Sequence, residues 1–230
     1  MKMIISNPIL REKPIIGESW MIIIFLLCLI VIASVRVAYP KRINTLFKTF
    51  LNYRALKQQI REEGLFNRLP SVLTQLLFFI SAALFLYEID VYFQLNVFFD
   101  LGGLALYMMY LLTLFVIYLI RWGVMEVLKH ILISFQSIES YFYTTMQYNK
   151  VLGIFLLGVS FVGAFIIQNN VLPILWIGFI ATVLFYLYRI VRGFQLGFQE
   201  NISFSYLFLY LCALEISPAL AIAKLLITKL

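Results

Sequence analysis

Glu215 and Pro218 carry the chemistry nearest to a working site in this chain. They lie in the run Leu207-Phe-Leu-Tyr-Leu-Cys212-Ala-Leu-Glu215-Ile-Ser-Pro218. A carboxylate at bilayer depth costs about 2.5–3.5 kcal/mol on insertion scales, so it has a partner or a task. Read by hydropathy, Glu215 is the only acid deep inside an apolar run. Pro218 has no N–H and clashes with the carbonyl of Leu214, so the helix kinks there. A freed carbonyl beside a carboxylate suits a proton, a cation or an arginine. The helical neighbours Phe208, Leu211, Cys212, Ala219 and Ile222 add no second charge. Arg189 and Arg192, in the preceding element, are the nearest cations. The competing reading is structural: a protonated or hydrogen-bonded glutamate that fixes helix packing.

Other chemistries find no foothold. There is no phosphate loop, no G-x-S-x-G elbow and no H-E-x-x-H pair. His130 stands alone and reads as an interfacial helix residue. Cys28 and Cys212 fall in separate apolar runs without ligand spacing, which fits buried thiols better than a disulfide or a zinc site. Gly193-x-x-x-Gly197 sits in a turn, where it says little about helix pairing. No enzyme activity, cofactor or metal is expected.

The elements that must hold these residues are membrane spans. The chain is 63% hydrophobic and 13% charged, with mean hydropathy +0.96. Soluble domains average about 45–50% apolar and about 25% charged residues. Apolar runs alternate with short polar stretches throughout, so residues 1–230 form a single integral membrane domain. A span needs about 20 apolar residues. About six segments qualify, at 20–38, 71–88, 101–120, 151–168, 172–189 and 203–223, and predict an all-α polytopic bundle. The net charge of +7 comes from inter-span lysines and arginines and calls for no nucleic acid. These gather at 39–70, 121–150 and 189–201, which places those loops in the cytoplasm and both termini outside. Lys2, Arg11 and Lys13 in the N-terminal tail run against this placement, and the larger number of basic residues in the loops outweighs them.

Two loops have their own periodicity. Ile43, Leu46, Phe47, Phe50 and Leu51 recur at helical spacing within 41–63, opposite a polar face. That amphipathic helix lies in the interface, where Lys41, Arg42, Lys48, Arg54 and Lys57 meet anionic headgroups. A second amphipathic segment, 121–148, continues the third span. Within the fourth span Gly153, Gly158, Ser160, Gly163 and Ala164 provide a small-residue face for close helix approach.

The run around Glu215, with Tyr188-Arg189-x-x-Arg192-Gly193-Phe194 before it and Tyr39-Pro40-Lys41-Arg42 after the first span, resembles an uncharacterised family. That family comprises small multi-span inner-membrane proteins, found mainly in Bacteroidota and classed as a domain of unknown function. The resemblance implies a multi-pass protein of the bacterial cytoplasmic membrane and supplies no catalytic residue. The expected role is a non-catalytic subunit of a larger inner-membrane complex, in a cell-envelope process such as protein export or secretion. The alternatives are a small proton- or ion-coupled transporter centred on Glu215 and Pro218, and a membrane lipid-modifying enzyme. The expected partners are anionic headgroups and other membrane subunits.

Overall fold

A computed structural model describes residues 18–39, 68–95, 97–98, 102–131, 135–166 and 171–199. Every element among them is helical: α1 (Ser19–Ala38), α2 (Arg68–Phe93), α3 (Gly103–Ile131), α4 (Phe135–Phe161) and α5 (Leu172–Gln199). A π-helical turn, Val162–Ile166, prolongs α4. Each of the five helices is long and apolar enough to cross a membrane. The segment 203–223, and with it Glu215, Pro218 and Cys212, lies outside the described residues, as does the amphipathic segment 41–63.

Helix ends follow local chemistry. α5 begins with Pro173 in its first turn, where a missing N–H costs nothing. α2 ends in a left-handed residue, Gln94 (φ 51°). The N–H of Leu95 then reaches back to the carbonyl of Asp90 at 3.2 Å, the 6→1 bond of a Schellman cap. Charge therefore does not end this helix. It runs past Glu88 and Asp90, whereas hydropathy alone ends the span at residue 88.

The fourth helix also differs from expectation. It is apolar enough to span from Thr144 onward, and Thr144, Thr145, Gln147, Tyr148, Asn149 and Lys150 are all buried. Residues that read as an interfacial segment thus form the first turns of a span. Their polar atoms face other helices, a placement that a hydropathy window cannot see.

α2 packs most extensively on α4. The pair is parallel, with Ser71 beside Lys150, Phe78 against Gly153 and Glu88 against Gly163. α1, α3 and α5 run antiparallel to them: Glu18 meets Tyr87, Phe79 meets Tyr118, and Asn149 meets Arg189. More than half of the spanning part of α2 and of α4 is buried, against about a fifth of α1, α3 and α5. The core is therefore a two-helix axis sheathed by three helices with apolar outer faces. One cluster joins Met21, Phe25, Cys28, Leu84, Tyr87 and Tyr107 around α2, and a second joins Ala82, Phe85, Leu156 and Leu175 on its other side.

Glycines set the close approaches. A Cβ on Gly153 would stand 2.6 Å from the Cα of Phe78, and one on Gly178 would stand 2.5 Å from the ring of Phe85. Larger side chains there would push the helices apart, as expected of small residues in membrane packing.

Candidate functional site

Two polar layers lie inside the bundle, joined by a stripe on α2. Ser71, Thr74, Gln75, Ser81 and Glu88 fall within an arc of about 140° at roughly 100° per residue, a broad stripe along one side of the helix. All are buried except Ser71, which is half-buried. Seventeen residues separate Ser71 from Glu88, about 26 Å at 1.5 Å per residue. The layers therefore stand near opposite ends of the bundle.

The first layer is basic. Lys150 is 1% exposed, and its Nζ donates to the hydroxyl of Ser71 at 2.6 Å. Arg189, also buried, donates to Oδ1 of Asn149 at 3.3 Å and lies over the ring of Tyr186. Arg192 donates twice to the hydroxyl of Tyr188, at 3.1 and 2.8 Å, and Tyr188 packs edge-on against Tyr148. Arg121 and Arg189 both act on the phenol of Tyr118. α5 continues to Gln199, so Arg189 stands about 15 Å from the end of its helix, within the apolar stretch Leu172–Arg192. The structure brings together the two sequence-predicted arginines and adds Lys150, Asn149 and Ser71. Lys41, Arg42, Lys48, Arg54 and Lys57 lie outside the described residues.

The second layer is acidic. Glu18 caps α1 through its carbonyl, which accepts from Met21 N–H at 3.0 Å, while its carboxylate turns sideways. It accepts from the hydroxyl of Tyr87 at 2.7 Å and from the indole of Trp20. Trp20 packs on Tyr87 and Tyr107, each ring 5.3 Å away. Asp90, 3% exposed, lies beside Tyr110 of α3.

Glu88 is the central member. It is 1% exposed, and neither carboxyl oxygen has a hydrogen-bond partner among the described residues. Its polar neighbour is Ser160 of α4, fully buried and likewise without a partner meeting hydrogen-bond geometry. Glu88 is thus an acid buried inside an apolar helix, a position that hydropathy assigns to Glu215 alone. The reading that Glu215 is unique fails because Glu88-Ile-Asp90 closes an apolar run and looks like the start of a loop. The signal that finds Glu88 is the phase of the α2 stripe: Glu88 lies seven residues beyond Ser81, on the same inward face.

Residues 21–226 match the model of a family described as a domain of unknown function (DUF4271). The chain belongs to the DUF4271 family. No curated protein and no solved structure matches it. The match takes in the five described helices except the first two residues of α1, and Glu18 and Trp20 of the acidic layer precede it.

Proposed function

We propose that this protein is a non-catalytic integral subunit of a larger bacterial inner-membrane assembly that serves the cell envelope. One observation carries the reading. Of the small residues on α4, Gly153 is filled by Phe78, Gly163 lies against Ile174 and Val171, and Ser160 and Ala164 are fully buried. Gly158 differs: among the described residues a Cβ there would meet nothing within 4 Å. It is exposed between Phe155 and Phe161, which are also exposed. Phe155 stacks on Phe185 of α5, and Phe161 packs on Phe25 of α1. The result is an apolar notch floored by glycine and walled by aromatics. Lipid tails need no such notch, whereas a neighbouring helix approaches most closely at one. The basic end of the bundle belongs in the cytoplasm by the positive-inside bias.

Solubilisation of the tagged protein from its native host under mild detergent tests the proposal. The wild type should migrate in native electrophoresis as a particle larger than its own monomer, with other polypeptides in fixed ratio. Gly158→Trp, whose Cβ would meet nothing within 4 Å among the described residues, should fill the notch and release the monomer while keeping its melting temperature. A wild-type protein recovered only as a lone monomer contradicts the subunit reading.

The transporter alternative draws support from a different feature, the stripe of buried polar residues on α2 that ends at Glu88. Glu88→Gln should then abolish proton flux into vesicles containing the purified protein, and retained flux removes this reading.

A further inference from the structure

We propose that Glu88 and Ser160 form a reversible proton-binding site in the interface between α2 and α4, independent of any partner at the Gly158 notch. The ligand is a proton drawn from the water at the acidic end of the bundle.

Three observations converge on it. The carboxyl group of Glu88 is buried, without a hydrogen-bond partner among the described residues, and turned toward α4. Ser160, its neighbour across the interface, is a hydroxyl with the same lack of partner. α4 changes from α- to π-helical winding at Val162, two residues after Ser160. π-Turns take their carbonyls out of the ordinary i→i+4 ladder and recur at functional sites. A Cβ on Gly163, inside that turn, would lie 3.9 Å from Oε2 of Glu88. With no side chain at Gly163, the carboxyl group of Glu88 lies next to the π-turn.

The charges around the site point the same way. On its own helix Glu88 has Tyr87 and Asp90. α1 brings Glu18, held by Tyr87, and α3 brings Tyr107 and Tyr110. α4 brings Ser160 alone, while Val171 and Ile174 close the α5 side with apolar groups. Every lysine and arginine of the described helices, namely Arg36, Arg68, Arg121, Lys129, Lys150, Arg189 and Arg192, belongs to the opposite end of the bundle. At that end Lys150 pairs with Ser71, about 26 Å along α2 from Glu88. Among the described residues no cation lies beside Glu88, and a proton is the compensating charge that fits a pocket of this size.

The exchange is a simple acid–base step. Glu88 carboxylate takes one proton from hydronium, leaving water and a neutral carboxyl group. Ser160 serves both states, because a hydroxyl donates to a carboxylate and accepts from a carboxylic acid. Glu88 lies five residues from the end of α2 at Phe93, about 7.5 Å of helix, so the path to water is short.

Labelling with dicyclohexylcarbodiimide, an apolar reagent that modifies protonated carboxyl groups, tests the site in the full-length protein reconstituted in vesicles. Peptide mass spectrometry should place the adduct on Glu88. Its rate should fall by about tenfold per pH unit on the alkaline side of the profile, following the protonated fraction. Glu88→Gln should lose the adduct with an unchanged elution profile. The wild-type pH profile stands without any variant, so a folding defect in Glu88→Gln leaves the test intact. Absence of an adduct on Glu88 at every pH, a rate independent of pH, or an adduct on Asp90 instead overturns the proposal. Protection by sodium at constant pH assigns the pocket to a metal cation and overturns it as well.

Discussion

Adding one methyl group at Gly153 tests the α2–α4 axis at its tightest point. The new Cβ would lie 2.6 Å from the Cα of Phe78, 2.9 Å from its Cβ and 3.2 Å from its backbone nitrogen. Ordinary contact begins at 3.4 Å, so relief requires at least about 0.8 Å of movement. The obstructing atoms are backbone and Cβ, and no rotamer change removes them. The helices must separate or bend. A gap of 0.5–1 Å forfeits about a quarter to a half of each dispersion contact across it, and overpacking of this kind costs about 1–3 kcal/mol. For a chain of this size each kcal/mol moves the melting temperature by about 2–4 °C, so Gly153→Ala should melt roughly 2–12 °C below Gly158→Ala, which shares its gain in helix propensity. The assay is thermal unfolding in detergent followed by the fluorescence of Trp20, Trp122 and Trp176, which report from α1, α3 and α5. Gly158→Ala is the internal control: nothing lies within 4 Å of its Cβ, and helix propensity favours alanine by about 0.8–1 kcal/mol. Equal melting of Gly153→Ala and Gly158→Ala would refute the packing argument.

Two further outcomes follow from the acidic layer. Gly103 holds φ +54°, and a Cβ on it would lie 2.8 Å from Oε2 of Glu18. Gly103→Ala should therefore lower stability by about 1–2 kcal/mol from the left-handed backbone alone, with a matching loss in the same melting assay. Tyr87→Phe removes the donor to Oε1 of Glu18 at 2.7 Å. It should cost about 1.5–3 kcal/mol, the range for hydrogen bonds to charged groups, and shift Trp20 emission, because that indole shares the carboxylate.

The sequence makes the membrane class and the helical architecture legible, since long apolar runs have few alternatives in lipid. α1 shows this best: its apolar run, 20–38, and its helix, Ser19–Ala38, nearly coincide. Boundaries fail where buried polar residues sit inside a helix. Hydropathy ends the second span at Glu88 and starts the fourth at Val151, yet the helices carry Asp90 and Thr144–Lys150 into the bundle. The missing information is tertiary: Lys150 is tolerated because Ser71 of α2 reaches it, and Ser71 lies 79 positions away in the chain. Composition likewise treats Gly153 and Gly158 as one small-residue face. The structure separates them, because Gly153 points at a helix of the same chain, whereas Gly158 meets no neighbour among the described residues. Glu215 and Pro218, the first residues to attract attention, lie outside the described residues, while the same reasoning applied to helical phase leads to Glu88.

The subunit reading depends on what occupies the notch at Gly158. A photo-crosslinking amino acid placed at position 158 in the native host, followed by mass spectrometry of the products, measures this directly. The account predicts a light-dependent adduct to a different membrane polypeptide, lost when Phe155 and Phe161 are both changed to alanine. Crosslinks only to lipid, or only to residues 203–223 of the same chain, would contradict it.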